Sequence, residues 1–234
     1  MVLRFSNFPA YAIHLFANGF SLCKSQSSEK YICKNYKNAS FPTLERECGI
    51  FFDDLTENDE VAIFLDAATP LLIPKEVYAE PASDYLRVQS DLSAYETVLE
   101  DEINDEYIAL FPYGISKIAQ LQALVNCKVS LHHIDSYVTR CLQNLPHLAA
   151  YQLAAYFTDE KVEFILLKNN ELQIVNGFKY SSQEDVLYYL LNLMQQFSIS
   201  SQNCEMFFAG SILEDKKMDK FLKQYIPSWK ELNV

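Results

Sequence analysis

The stretch from Val162 to Ile212 constrains this chain more than any other, because it spells strand, tight turn, strand, capped apolar helix and buried strand in unbroken order. Val162 to Leu167 is short and rich in β-branched and aromatic residues, which fit a pleated surface. Asn169-Asn170 tolerates the positive φ angles of a two-residue hairpin turn, and Leu172 to Val175 runs back as the partner strand. Ser181 stands three residues before Glu184, the spacing at which a cap and the first helical turn satisfy each other's free amides. From there Val186, Leu187, Leu190, Leu191, Met194 and Phe197 recur at helical spacing, and Tyr188, Tyr189 and Leu193 widen the stripe around the helix. Such a helix is expected between layers. Cys204 to Ala209, ending at Gly210, reads as a strand covered on both faces, the pattern of a parallel strand beneath helices.

The first third of the chain has the same order. Tyr11 to Ala17 and Phe20 to Lys24 flank Asn18-Gly19, a strong hairpin signal, and a third strand, Lys30 to Lys34, follows the polar turn Ser25 to Glu29. Ser40-Phe41-Pro42 opens a helix carrying Leu44, Cys48, Phe51, Phe52 and Leu55, with Ser40 as cap and Pro42 where its missing amide costs nothing. Val61 to Ala67 is the next buried strand. Further on, Leu71 to Val77 extends around Pro74, Ala82 to Asp91 is a short helix, and Tyr95 to Ile103 with Glu106 to Phe111 makes a hairpin closed at Asn104-Asp105. Ser116 to Val125 is predicted helical, Lys128 to His132 a strand, and Asp135 the cap of a helix from Ser136 to Asn144 that stops before Pro146. Ala150 to Phe157 then forms a strand and Thr158 to Lys161 a turn. Each half writes three strands, helix, strand, which predicts an α/β protein of two related lobes, 1–145 and 146–234.

A hydrophobic share of 50% over 234 residues supplies a real core, and five glycines beside 15 Tyr and 16 Phe leave no room for low-complexity linkers. The net charge of -12 repels phosphate backbones and anionic lipid heads, which argues against nucleic acid and membrane partners. Lys216, Lys217, Lys220 and Lys223 read as the wet side of a helix. No apolar run approaches the roughly 20 residues that span a bilayer. Met1 to Cys23 is apolar, but Pro9, His14 and Asn18 interrupt it and no cleavage site follows, so it is expected to belong to the mature protein. The six cysteines, Cys23, Cys33, Cys48, Cys127, Cys141 and Cys204, lack short paired spacing and are expected to be reduced, in a cytoplasmic protein.

Chemistry-bearing patterns are scarce. Glu100, Asp101, Glu102, Asp105 and Glu106 crowd one hairpin, where a run of carboxylates reads as a solvated loop tip and not as a chelate. His132 and His133 point to opposite faces if they lie in a strand, so one ion cannot take both; a satisfied core histidine beside an exposed one is expected, and no metal. There is no G-x-S-x-G elbow, H-E-x-x-H helix or C-x-x-C pair, and Ser130, His132 and Asp135 are close in sequence without any evidence of triad geometry.

Two lobes of meandering strands leading to a helix and a parallel strand resemble the actin-like ATPase (ribonuclease H-like) fold. The wording of the second lobe, Asn176-Gly177-Phe178-Lys179-Tyr180, Gln183-Glu184-Asp185, Leu187 to Leu191 and Phe207-Phe208-Ala209-Gly210, is similar to an uncharacterised bacterial family of unknown function assigned to that fold. Over the first lobe the likeness rests mainly on Ile13 to Ser21. The resemblance implies an Asp at the end of the first strand of each lobe, and glycine-bearing hairpins whose amides hold phosphates. Here the first hairpin, Ala17-Asn18-Gly19-Phe20, keeps the glycine without the carboxylate; the second, Thr158-Asp159-Glu160-Lys161, has no glycine and brings two carboxylates toward a triphosphate; the adenosine loop is reduced to Gly210-Ser211. The expectation is a catalytically inactive scaffold or protein-interaction module whose partner is another protein. The alternative is a Mg-ATP-binding enzyme, an ATPase or small-molecule kinase. In it Asn18, Gly19 and Lys24 touch phosphate, Asp159 holds magnesium, and Gly210 and Ser211 meet the base or ribose.

Overall fold

Alternating apolar residues at Tyr11, Ile13 and Leu15 give the first strand one face that must be covered, and the chain folds back twice to build a sheet around it. The computed structural model describes residues 9–16, 18–27, 30–88, 92–158, 161–200, 202–213, 215–226 and 228–232. The chain divides into two units, 1–137 and 138–234, with the division falling inside one helix, α4 (Ile134–Gln143).

In the first unit β1 (Tyr11–Phe16), β2 (Gly19–Ser27) and β3 (Lys30–Lys37) form an antiparallel meander. The chain then crosses through helix α1 (Phe41–Phe51) to β4 (Glu60–Leu65), which lies parallel to β1. Strand β8 (Lys128–His133) is added parallel to β4, completing the order β3-β2-β1-β4-β8. Between β4 and β8 the chain builds a smaller sheet, β5-β7-β6, from β5 (Leu71–Pro74), β6 (Glu96–Glu102) and β7 (Tyr107–Gly114), with the short helix α2 (Ser83–Leu86). Helix α3 (Ile115–Gln122) follows β7 directly. Ile13, Phe20, Leu22, Leu44, Cys48, Val61 and Ile63 pack one core, joined by Phe111 and Leu121. Each such side chain removed from water contributes roughly 1.5–3 kcal/mol, so this cluster outweighs any polar contact described below.

The second unit has the same plan. β9 (Tyr151–Phe157), β10 (Lys161–Lys168) and β11 (Glu171–Lys179) form the meander, and helix α5 (Gln183–Gln196) crosses to β12 (Cys204–Gly210), parallel to β9. Helix α6 (Lys216–Leu222) leads to β13 (Lys230–Glu231), for an order of β11-β10-β9-β12-β13. Asn169 and Asn170 turn the β10–β11 hairpin at φ 52° and 73°, as their side chains permit. Phe164, Leu166, Leu153 and Phe208 meet Val186, Leu190 and Leu193 of α5 in a second core.

Five local expectations are corrected by the structure. Cys23 and Cys33 are not reduced thiols: they face each other across the β2–β3 ladder with Cα atoms 4.2 Å apart and form a disulfide. Gly19 is not a turn residue but the first residue of β2, paired with Phe16, which leaves Asn18 at the corner; Ala17 is outside the described residues. The helix cap of α5 is Ser182 and not Ser181, because the Asp185 carboxylate accepts both backbone N–H groups while Asp185 N–H donates to Ser182 Oγ. Asp135 is not a cap; it sits in the first turn of α4, and its backbone N–H donates to His133 Nδ1 at 3.1 Å. Asp101, expected at a solvated tip, is buried: Oδ1 accepts from His132 Nδ1 at 2.8 Å and Oδ2 from the His133 backbone N–H at 2.9 Å. That bidentate carboxylate ties β6 of the small sheet to β8 of the large one.

Candidate functional site

The first strand corner lies between the end of β1 and the start of β2. Phe16, an aromatic residue, ends the strand. Gly19 is in close contact with the neighbouring strand: a Cβ there would stand 2.1 Å from the Tyr36 carbonyl oxygen. Next to it the Asn38 N–H donates to the Asn18 carbonyl at 2.6 Å. The glycine therefore serves the approach of β3 to β2, and its open side faces protein backbone. Beside this corner is a slot of about 270 Å³ walled by the strand ends, the start of α1 and the face of α3, with Lys117 its one charged side chain among the described residues.

Lys24 is not brought to that corner. It stands five residues along β2, about 17 Å away at strand rise, where its ammonium pairs with Asp53 at 3.1 Å and Asp54 at 3.2 Å. The hydrogen bond to Asp53 raises its pKa, and Asp53 is lowered in return.

The second corner follows β9, which ends on Phe157. Asp159 and Glu160 lie outside the described residues. The flanking backbone closes on itself, with Thr158 N–H donating to the Lys161 carbonyl at 2.9 Å and Tyr180 Oη–H donating to the Thr158 carbonyl at 2.7 Å. Gly210, at φ 80°, ends β12 against this strand, and a Cβ on it would stand 2.1 Å from the Phe157 carbonyl oxygen. Ser211 opens the 3-10 turn that follows. Gly210 and Ser211 thus border the second corner, while Asn18 lies in the first and Gly19 borders it.

Several polar residues that sequence patterning passed over are buried. His14 on β1 is packed edge-on against Phe64 and Tyr137 at 5.0 and 5.2 Å; burial lowers its pKa to about 4, and its Nε2 has no hydrogen-bond partner among the described residues. Glu163 inside β10 is fully buried and accepts from Lys161 Nζ at 3.1 Å. The i, i+2 spacing of Lys161 and Glu163, which puts both on one strand face, was the available signal. His133 is a satisfied core histidine and His132 its partly exposed neighbour, as their alternation implies. His133 Nε2 lies 3.0 Å from the Ala68 carbonyl and Nδ1 accepts from Asp135 N–H at 3.1 Å. The thiols of Cys48 and Cys204 are pushed up to about 12 by burial, which removes them as nucleophiles near neutral pH.

Residues 10–228 match the profile of a family described as "Protein of unknown function (DUF3822)". The chain belongs to the DUF3822 family. No curated protein sequence matches it significantly. Among solved structures, this DUF3822 chain is similar to a Bacteroides thetaiotaomicron protein with actin-like ATPase fold and unknown function, at 16% identity, TM-score 0.75 and coverage of 97% of this chain and 92% of that one. It is also similar to the PilM-PilN type IV pilus biogenesis complex, at 9% identity, TM-score 0.64 and 98% and 89% coverage. A third is ethanolamine utilization protein EutJ from Carboxydothermus hydrogenoformans, at 6% identity, TM-score 0.54 and 99% and 87% coverage. At these identities the likeness establishes the fold, actin-like with mixed α/β sheets, and not a chemistry. No helix among the described residues is long and apolar enough to cross a membrane.

Proposed function

We propose that this DUF3822 protein is a catalytically inactive actin-like scaffold that works by binding another protein. The observation that carries this reading is the placement of the two corner glycines. Gly19 and Gly210 each approach a backbone carbonyl of the same unit so closely that a Cβ would meet it at 2.1 Å. Glycines that cradle a phosphate turn their open side and amides outward to the anion. The strand ends Phe16 and Phe157 add no carboxylate for a metal, and Lys24 is held by two aspartates well along its strand. The PilM structure similar to this chain was solved with a protein, PilN, and a scaffold role extends that kind of use to this chain.

The competing reading, a Mg-ATP enzyme using Asn18, Gly19, Lys24, Asp159, Gly210 and Ser211, requires Lys24 to leave its ion pairs and the corner backbones to open. Thermal unfolding in millimolar Mg-ATP separates the two. A scaffold leaves the midpoint unchanged. A site filled at a hundred times its Kd adds about 2.7 kcal/mol and raises it by several degrees, which would sink the proposal. A protein co-migrating with the native chain at fixed stoichiometry through gel filtration, without nucleotide, is the positive result expected.

A further inference from the structure

We propose that the slot beside the first strand corner binds a small apolar carboxylate. Three features of the slot lead there, none of which depends on the scaffold reading. Its volume of about 270 Å³ falls just below the range of drug-sized pockets, so the ligand has the bulk of a single ring or a medium aliphatic chain. Most of its lining side chains are apolar, with Ser40, Lys117 and Gln120 the polar ones, and two of the aromatic side chains that line it, Phe16 and Phe41, are left partly in water. A ligand's apolar body covers them. Among the described residues Lys117 is the only ionised side chain on the lining, and none of the described Asp and Glu residues is there.

The state of Lys117 gives the ligand its sign. Lys24, Lys75 and Lys128 in the same unit each rest on carboxylates at 2.8–3.2 Å. Lys117 instead extends over the Tyr113 ring, 5.9 Å from its centroid, and among the described residues no carboxylate pairs with it. Gln120 stands one helical turn on along α3, on the same face, with an amide that can donate beside the ammonium. An anion seated on Lys117 and Gln120, with its apolar part between Phe16, Phe41 and Tyr113, satisfies both halves of the slot.

The test uses the full chain with 3-phenylpropionate and its neutral counterpart 3-phenyl-1-propanol, followed by NMR titration. The acid is expected to bind roughly tenfold more tightly than the alcohol, the ratio a modest charge-assisted hydrogen bond gives, with shifts centred on Phe16, Phe41 and Tyr113. Lys117→Gln should bring the acid down to the alcohol's affinity and leave the alcohol unaffected. Gln120→Glu, a surface change that does not threaten folding, should weaken the acid alone. Ala39→Phe should fill the slot and abolish both. Equal binding of the two probes by the unaltered chain, shifts that map elsewhere, or no saturable binding at millimolar concentration overturns the proposal. So does binding of an acidic peptide where neither small probe binds, which would assign the slot to a protein partner.

Discussion

Gly210 shows how much one missing atom can matter. Its φ of 80° and the 2.1 Å approach to the Phe157 carbonyl leave no place for a methyl group, because the opposing atom is backbone and cannot turn away. Gly210→Ala is expected to lower stability by about 2–4 kcal/mol, read from the urea midpoint; a loss within 0.5 kcal/mol would mean that the corner relaxes freely. His14 makes a second residue-scale prediction. Its folded pKa of about 4 lies below the ordinary value of 6.5, so between those pH values the unfolded chain takes up a proton that the folded chain refuses. Above pH 6.5 both states are neutral and the residue contributes no pH dependence. As pH falls from 6.5 toward 4, stability is lost, on the order of 3 kcal/mol in all. His14→Leu should flatten that part of the stability–pH curve, and a variant that follows the original curve would refute the assignment.

Elements carry their own tests. The α5 cap was legible as a serine followed by acidic residues, but the register was not, because Ser181-Ser182 and Glu184-Asp185 satisfy the same spacing twice. Ser182→Ala should cost about 1 kcal/mol, whereas Ser181→Ala, which leaves only a backbone N–H in play, should cost almost nothing. Equal losses measured by chemical unfolding would contradict the placement. In the β2–β3 hairpin, Cys23 and Cys33 are separated by ten residues in sequence and directly opposed in the ladder. Closing so short a loop stabilises by at most about 3 kcal/mol. Reduction, or Cys33→Ser, is expected to lower the unfolding free energy by that amount or less and to raise hydrogen exchange first in β3, the edge strand. Mass spectrometry that finds both thiols free in the native protein would contradict the pairing.

For the molecule as a whole, the same topology appears twice, three antiparallel strands followed by parallel ones, and the family match spans both copies. What differs is the small sheet inserted between β4 and β8 in the first unit. Asp101 fastens it, with a carboxylate buried under two hydrogen bonds from consecutive histidines. Asp101→Ala leaves those donors without their acceptor and should cost on the order of 3 kcal/mol, with hydrogen exchange rising through β6 and β7. If exchange in that sheet stays as before, the fastening lies elsewhere.

The sequence by itself determined the order of elements, the Asn169-Asn170 turn, the apolar stripe of α5 and the buried character of β12. Each of these follows from backbone periodicity and turn chemistry within a few neighbouring residues. It also carried the double meander, since three strands joined by short turns have little choice but to pair in sequence. Only the tertiary structure decided that Cys23 meets Cys33, that Gly19 and Gly210 face backbone carbonyls, that Asp101 leaves the solvent for two histidines, and that Lys117 extends over the Tyr113 ring. The physical reason is that these outcomes depend on which strand or helix lies across from a residue. That neighbour is fixed by packing between segments ten to a hundred residues apart, where local hydrogen bonding and side-chain spacing have no reach.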